Sequence, residues 1–303
     1  MAKWYTIALV DSTYNSREVR LTKPINLGNN VNFTIIPNWL NKLVGSKHLS
    51  FHQRQVIEDA QYMLVSECEA NSLGDPDPEC KRDKPRSKQE IALEKIQISN
   101  LALWLIKPSW IAFELVLHVE ERNNEKVLRQ AFTTQILQPH EEDKDNYLNL
   151  TDFEQAHKFN LVLNSLQRDN SLWMAIRTLW TALITMPWEV RFLLLWVVLE
   201  ALFGTDTEII YRISQRISFF VCSKKEDKPD LYKKAKESYS WRSKIVHGMK
   251  LYKLKQKESS AVLHNTEVFA RKALLKILED KELTNVFINN KKRDDYLDNL
   301  IFS

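Results

Sequence analysis

The stretch Trp188–Phe203, WEVRFLLLWVVLEALF, decides how the second half of the chain folds. Its most apolar part, Phe192–Phe203, is interrupted at Glu200 and bounded by Arg191. The uninterrupted apolar run is far shorter than the roughly 20 residues needed to cross a bilayer. The stretch therefore reads as the central helix of a bundle, its Trp and Leu residues packing a core rather than lining a cofactor site. Working outward, the spacing of apolar residues predicts further helices over Asp152–Arg168, Ser171–Thr185, Thr207–Cys222, Lys228–His247 and Ser259–Asp280. Pro187 separates the second of these from Trp188–Phe203, and Pro229 suits the first turn of Lys228–His247, where a missing N–H costs little. Short connections between long amphipathic helices favour an antiparallel bundle.

The first half reads differently. KWYTIALVD, REVRLTK and VNFTIIPNW have β-like runs with turn-forming residues between them. Ser50–Ala70 has apolar residues near the helical period (Val56, Ala60, Met63, Leu64), with Ser50 as N-cap, and is predicted helical. NSLGDPDPECKRDKPRSK is the strongest loop candidate. IQISNLALWLI follows it, and Phe113–Val119 alternates as a strand does. The expected fold class is α+β: a mixed, β-rich N-terminal domain over 1–150, then an all-α domain over 151–303.

The chain has 303 residues, 44% of them hydrophobic, enough for a buried core and too many for general disorder. Its net charge of +4 conceals a local excess. Between Arg212 and Lys257 there are 14 Lys+Arg against 4 Asp+Glu, a density that attracts phosphate-rich partners or else lies on a solvated helix face. Cys68, Cys80 and Cys222 form neither a disulfide framework nor a zinc pattern. His48, His52, His118, His140, His157 and His264 show no metal-ligand spacing. No metal or cofactor is expected. The opening MAKWYTIALVD lacks the apolar core of a signal peptide, so the expected location is the cytoplasm, away from membranes.

Near the end of the basic region the chain reads YSWRSKIVHGMK, Tyr239–Lys250. On a regular α-helix, five positions turn the chain by about 500°, leaving Arg242 and His247 about 140° apart with a rise of about 7.5 Å. The residues leave two routes to a shared site. The helix can end at His247, with Gly248 taking a left-handed turn and Arg242 bending back. Alternatively a second copy of the chain supplies part of the site. Together the two residues suffice for RNA cleavage without metal. Histidine moves protons near neutral pH, and the arginine fork matches phosphate. The plainer reading is a histidine cation favoured at a helix C-terminus, with an arginine paired to an acid.

Three segments in order, WEVRFLLLWVVLEALFG, EIIYRISQRISFFV and YSWRSKIVHG, resemble the HEPN superfamily, specifically its ApeA-like branch. The resemblance covers Trp188–Lys250, with looser agreement over Thr151–Asp280, and rests on "LEALF", on Glu208-x-x-x-Arg212 and on "R-S-K-x-V-H-G". It implies an all-α, usually dimeric bundle whose facing Arg–His motifs cut RNA without metal. Arg242 and His247 then match the catalytic pair, and Glu200 matches a supporting polar residue. Ser243 stands where the wider superfamily commonly has Asn, Asp or His. The implied activity is an endoribonuclease of the toxin or anti-phage abortive-infection type. It would leave 2′,3′-cyclic phosphate and 5′-hydroxyl ends on tRNA or other host RNA, under an antitoxin or a phage trigger.

Glu200, set in an apolar run, needs a partner if buried. Arg242 is the expected one, and Arg212 or Arg216 the alternative. Tyr239, three positions before Arg242, is expected to pack in the core or to stack on a base. Lys224, Lys225, Lys244, Lys250 and Arg212 are candidates for contact with the RNA backbone. The competing functions are a non-catalytic HEPN module that binds RNA, a nucleotide or a protein, and a helical scaffold. The tail NNKKRDDYLDNLIFS either docks or frays.

Overall fold

The structure is a computed structural model and describes residues 1–10, 23–47, 49–78, 85–108, 113–134, 148–205, 209–248 and 256–302. The fold is α+β: an antiparallel sheet in the first part, then helices from residue 150 onward. The chain divides into two compact units, Met1–Asn164 and Ser165–Ser303.

In the first unit the strands are β1 (Ala2–Val10), β2 (Ile25–Asn26), β3 (Val31–Ile35), β4 (Tyr62–Ala70), β5 (Phe113–Arg122) and β6 (Glu125–Thr133). They lie in the order β2-β3-β4-β1-β5-β6. β1 is central and buried on both faces, which is why it reads as a nearly continuous apolar run. Tyr5, Ile7 and Leu9 point to one side, where Leu40 of α1 (Asn38–Asn41), Leu43 of the following 3-10 turn and Ile57 of α2 (Phe51–Asp59) complete a core. The residues between them, Trp4, Thr6, Ala8 and Val10, occupy the opposite face. That side packs against α3 (Lys88–Ile106). Phe153 of α4 (Leu150–Ser165) stacks on Phe33 of β3 at 5.1 Å, and Asn160 donates to the Leu27 carbonyl at 2.6 Å and to Ser99 Oγ at 2.7 Å. α4 is thus built into the sheet unit. The contact division accordingly falls at 164/165, beyond the position near 150 inferred from the loss of strand pattern. A helix that follows a sheet in sequence carries no mark of which core it joins.

Two further differences are instructive. Ser50–Ala70 splits into α2 and β4. Ser50 caps α2 in a reciprocal capping box with Gln53, as its position suggested. The residues after Ala60 pair with both β1 and β3 instead of continuing the helix, so two-sided strand pairing overrides an approximate helical period. IQISNLALWLI belongs to α3, a 19-residue helix announced by the Ser87/Glu90 capping box. Most of REVRLTK lies outside the described residues.

The second unit contains α5 (Ser171–Leu183), α6 (Trp188–Phe203), α7 (Ile209–Val221), α8 (Lys228–Val246), α9 (Gln256–Glu279), α10 (Lys281–Phe287) and α11 (Asn290–Phe302). α6 packs on α5, α8 and α9. Phe192, Leu195, Trp196, Leu199 and Phe203 are buried completely, so α6 is the bundle's central helix. The indole of Trp196 donates to Ser238 Oγ of α8 at 3.1 Å, and that hydroxyl contacts Thr266 Oγ1 of α9 at 2.6 Å. This short polar chain joins three helices and leaves no orphaned hydrogen on the indole. The tail docks as α11. Asp298 binds Arg216 at 2.9 Å and Arg212 at 3.3 Å, and Arg293 donates to the Ala201 carbonyl at 2.8 Å.

Arg191 and Glu267 form an ion pair at 2.6 Å in which each side chain is only 7% exposed. Removing one member of such a pair costs about 3–5 kcal/mol, whereas replacing both with apolar residues of similar volume is close to neutral. Glu267→Ala is expected to destabilise the helical unit by that amount, and Arg191→Met/Glu267→Leu to recover most of it. Urea unfolding monitored by tryptophan fluorescence checks both.

Candidate active site

Glu200 lies in the last turn of α6. The helix ends at Gly204, whose N–H donates to the Glu200 carbonyl at 2.8 Å. A Cβ at Gly204 would collide with that carbonyl, so the glycine permits the close exit of the chain. The Glu200 side chain reaches Arg242 of α8, with Oε1 3.0 Å and Oε2 3.3 Å from Nη2. Both side chains are 28% exposed. Arg212 and Arg216, the alternative partners, bind Asp298 and Asp294 of α11 instead.

Glu200 engages Arg242 through one nitrogen only. No protein partner engages Nε or Nη1 among the described residues. The guanidinium also lies over the Tyr239 ring at 5.6 Å, and that ring meets Trp196 edge-on at 5.0 Å. Tyr239 thus packs into the bundle core while its face supports the arginine. Burial pushes the Glu200 carboxyl above its usual range, and Arg242 pulls it partly back. Burial also raises the Tyr239 phenol; Arg242 opposes this and Glu200 adds to it.

His247 is the C-cap of α8. Its N–H donates to the Ser243 carbonyl at 3.1 Å, and Gly248 follows at φ +67°, donating to the Ile245 carbonyl at 3.0 Å. The left-handed turn expected at Gly248 is therefore present, and it is a conformation glycine adopts without steric cost. The His247 side chain is exposed. Arg242 does not bend toward it: the arginine turns to Glu200, and no contact joins it to His247 among the described residues. Helical backbone up to Val246 keeps the two side chains about 140° apart around the axis.

The other candidates separate into near and far groups. Ser243 is half-buried beside the pair, and its carbonyl accepts from His247. Lys244 places its ammonium 3.9 Å over the Trp241 ring on the same end of α8. Lys224 and Lys225 are exposed at the opposite end of α8, at least roughly 20 Å from Arg242 by helix rise, so they do not belong to a site built around the pair. Arg212 is engaged by Asp298 of α11 in a partly exposed ion pair. Lys250 and Glu208 lie outside the described residues, as do Cys80, His48 and His140. Among the described residues no three His, Cys, Asp or Glu side chains gather closely enough to hold a metal ion, and no helix is long and apolar enough to cross a membrane. Sequence reading assigned Trp196 only to the core. Its role in supporting Tyr239 and Ser238 of α8 had no local signal, because it depends on which helices become neighbours.

Comparisons with protein-family models, with curated proteins and with solved structures find no match for this chain.

A carboxyl whose pKa is raised on folding contributes stability that is present below its unfolded value and lost as pH rises through the folded one. Wild-type stability is therefore expected to fall relative to Glu200→Gln as pH rises from about 4 to 7, since glutamine carries no charge to desolvate. Thermal melts of both proteins across that range measure the gap; a gap independent of pH contradicts the raised carboxyl.

Proposed function

We propose that the Ser165–Ser303 unit is a HEPN-type endoribonuclease that acts as a homodimer and cuts RNA without metal. The observation that carries this reading is the state of Arg242. A carboxylate and an aromatic face hold it in place, yet one edge of its fork remains unbound. That is the arrangement needed to grip a phosphate without reorganisation. His247, exposed at the helix terminus, supplies the proton-transfer group.

Because Arg242 and His247 of one chain diverge around α8, the reading calls for a second copy. A two-fold axis near the C-terminal end of α8 brings each arginine toward the other chain's histidine, a self-complementary contact. In the reaction one imidazole takes the proton of the 2′-hydroxyl. The 2′-oxygen bonds to phosphorus and the bond to the 5′-oxygen breaks. The guanidinium holds the added negative charge, and the second copy's histidine, protonated, delivers its proton to the leaving 5′-oxygen. The products are a 2′,3′-cyclic phosphate and a 5′-hydroxyl, and DNA is not a substrate by this route. Lys244, resting on Trp241 three positions before His247, suits a phosphate flanking the cut. The resemblance extends the proposal to host RNA such as tRNA as substrate and to an antitoxin or phage trigger as control.

Total RNA incubated with the wild-type protein in a chelator is expected to be cut to cyclic-phosphate ends, with loss of cutting in His247→Ala. Binding without cutting by either protein supports a non-catalytic HEPN module instead. Persistence of cutting in the variant moves the site elsewhere. Arg242→Lys is expected to lose about 100-fold or more in rate, because one ammonium does not reproduce the fork; near-normal turnover overturns the assigned role. Specific activity is expected to fall on dilution through the dimer dissociation range, as measured by light scattering on the same samples.

A further inference from the structure

The N-terminal sheet holds a polar line that the ribonuclease reading does not use. Ser66 of β4, Thr6 of β1, His118 of β5 and Gln130 of β6 lie opposite one another in register, on the face that packs against α3. Thr6, Ser66 and His118 are buried, His118 with only 4% of its surface exposed, whereas Gln130 reaches solvent. The line ends in a cavity of about 420 Å³ lined by Leu73, Gln89, Glu90, Leu93, His118 and Phe132, with Gln130 and the Gly74 turn at its margin. That volume lies in the range of small-molecule sites, roughly 300–1,000 Å³.

Several features show that the cavity is built. The register of β5 with β6 shifts between His118 and Val119, a bulge that locally bends the strand beside the cavity. Gln89 is buried, and its amide is tied to the turn, accepting from the Gly74 N–H at 3.3 Å and donating to the Ser72 carbonyl at 3.1 Å. His118 Nδ1 meets Thr6 Oγ1 at 3.1 Å, and Nε2 has no protein partner among the described residues. The contact takes either direction according to the ring tautomer; with Thr6 Oγ1 donating to Nδ1, the hydroxyl hydrogen is satisfied. In that tautomer the ring proton resides on Nε2, and His118 offers the cavity a donor. Burial holds this imidazole neutral, with a pKa of about 4.

The remaining chemistry narrows the ligand. Phe132 stands 5.5 Å from the imidazole at 45°, and with Leu73 and Leu93 it forms apolar walls. Glu90 accepts from the Ser87 N–H with one carboxylate oxygen at 2.7 Å, leaving the other to accept from a ligand N–H. The Gln130 amide supplies one further donor and acceptor. Among the described residues no lysine or arginine lines the cavity, and Glu90 repels anions. The geometry points to a binding site for an uncharged, planar nitrogen heterocycle of nucleobase type, presenting an acceptor to His118 and an N–H to Glu90. This site belongs to the Met1–Asn164 unit and does not rest on the ribonuclease reading.

The test is calorimetric titration of the full-length protein with adenine, guanine, cytosine and uracil, their nucleosides and the corresponding 5′-monophosphates. At least one base or nucleoside is expected to saturate, with its monophosphate about tenfold or more weaker. Gln130→Trp, a change at an exposed edge-strand position that fills the mouth of the cavity, is expected to abolish binding while the circular dichroism spectrum stays unchanged. His118→Phe is expected to do the same, and His247→Ala to bind as the wild type does. No saturation by any base or nucleoside at millimolar concentration overturns the proposal. So does equal affinity for a monophosphate, or wild-type binding by folded Gln130→Trp.

Discussion

A carboxylate in the last turn of an otherwise apolar helix must find a cation or lose its charge, and that constraint shapes the helical unit. Glu200 meets Arg242 across the α6–α8 contact. The pair is half exposed rather than sealed, so each charge keeps part of its hydration and the contact orients more than it stabilises. Around it the bundle is arranged to make that contact possible. Trp196 ties α6 to α8 and α9 through Ser238 and Thr266, and its edge supports the Tyr239 ring under the guanidinium. The same logic runs through the neighbouring arginines. Arg191 takes Glu267, Arg216 takes Asp294 and Asp298, and Arg212 shares Asp298. With those cations engaged elsewhere, Arg242 is the one that meets Glu200.

The end of α8 shows how a backbone requirement and a chemical one coincide. Gly248 turns left-handed and closes the helix, which leaves His247 at the exposed terminus, where its backbone N–H is satisfied and its ring meets no protein partner among the described residues. The proposed nuclease depends on this division of labour. One group is anchored by protein contacts and the other presented to solvent, on opposite sides of a single helix. In that proposal two copies would bring unlike faces together, which one copy does not.

Much of this was legible in the residues. Trp188–Phe203 announced a buried helix by composition, Ser50 a capped start and Gly248 a left-handed stop. Glu200 demanded a partner, and Arg242 proved to be it. What escaped notice had no local signature or a misread one. Met63 and Leu64 fit a helical period by accident and were drawn into a sheet by strands on both sides. The Ser87/Glu90 capping box did mark the start of α3, yet the proline-rich, charged residues before it obscured the signal. Lys224 and Lys225 look equivalent to Lys244 along the sequence, but the length of α8 separates them from it.

The sequence by itself determined the elements and their chemistry: which segments are apolar enough to be core, where helices begin and stop, and that an arginine, a histidine and a glutamate must be accounted for. It did so because periodicity, capping and the cost of buried charge act over a few residues. Only the tertiary structure decided partnership. Asp298 captured Arg212, α4 joined the sheet, and a histidine in a β-strand became the floor of a cavity. Those outcomes depend on which distant segments become neighbours, and no short stretch of chain carries that information.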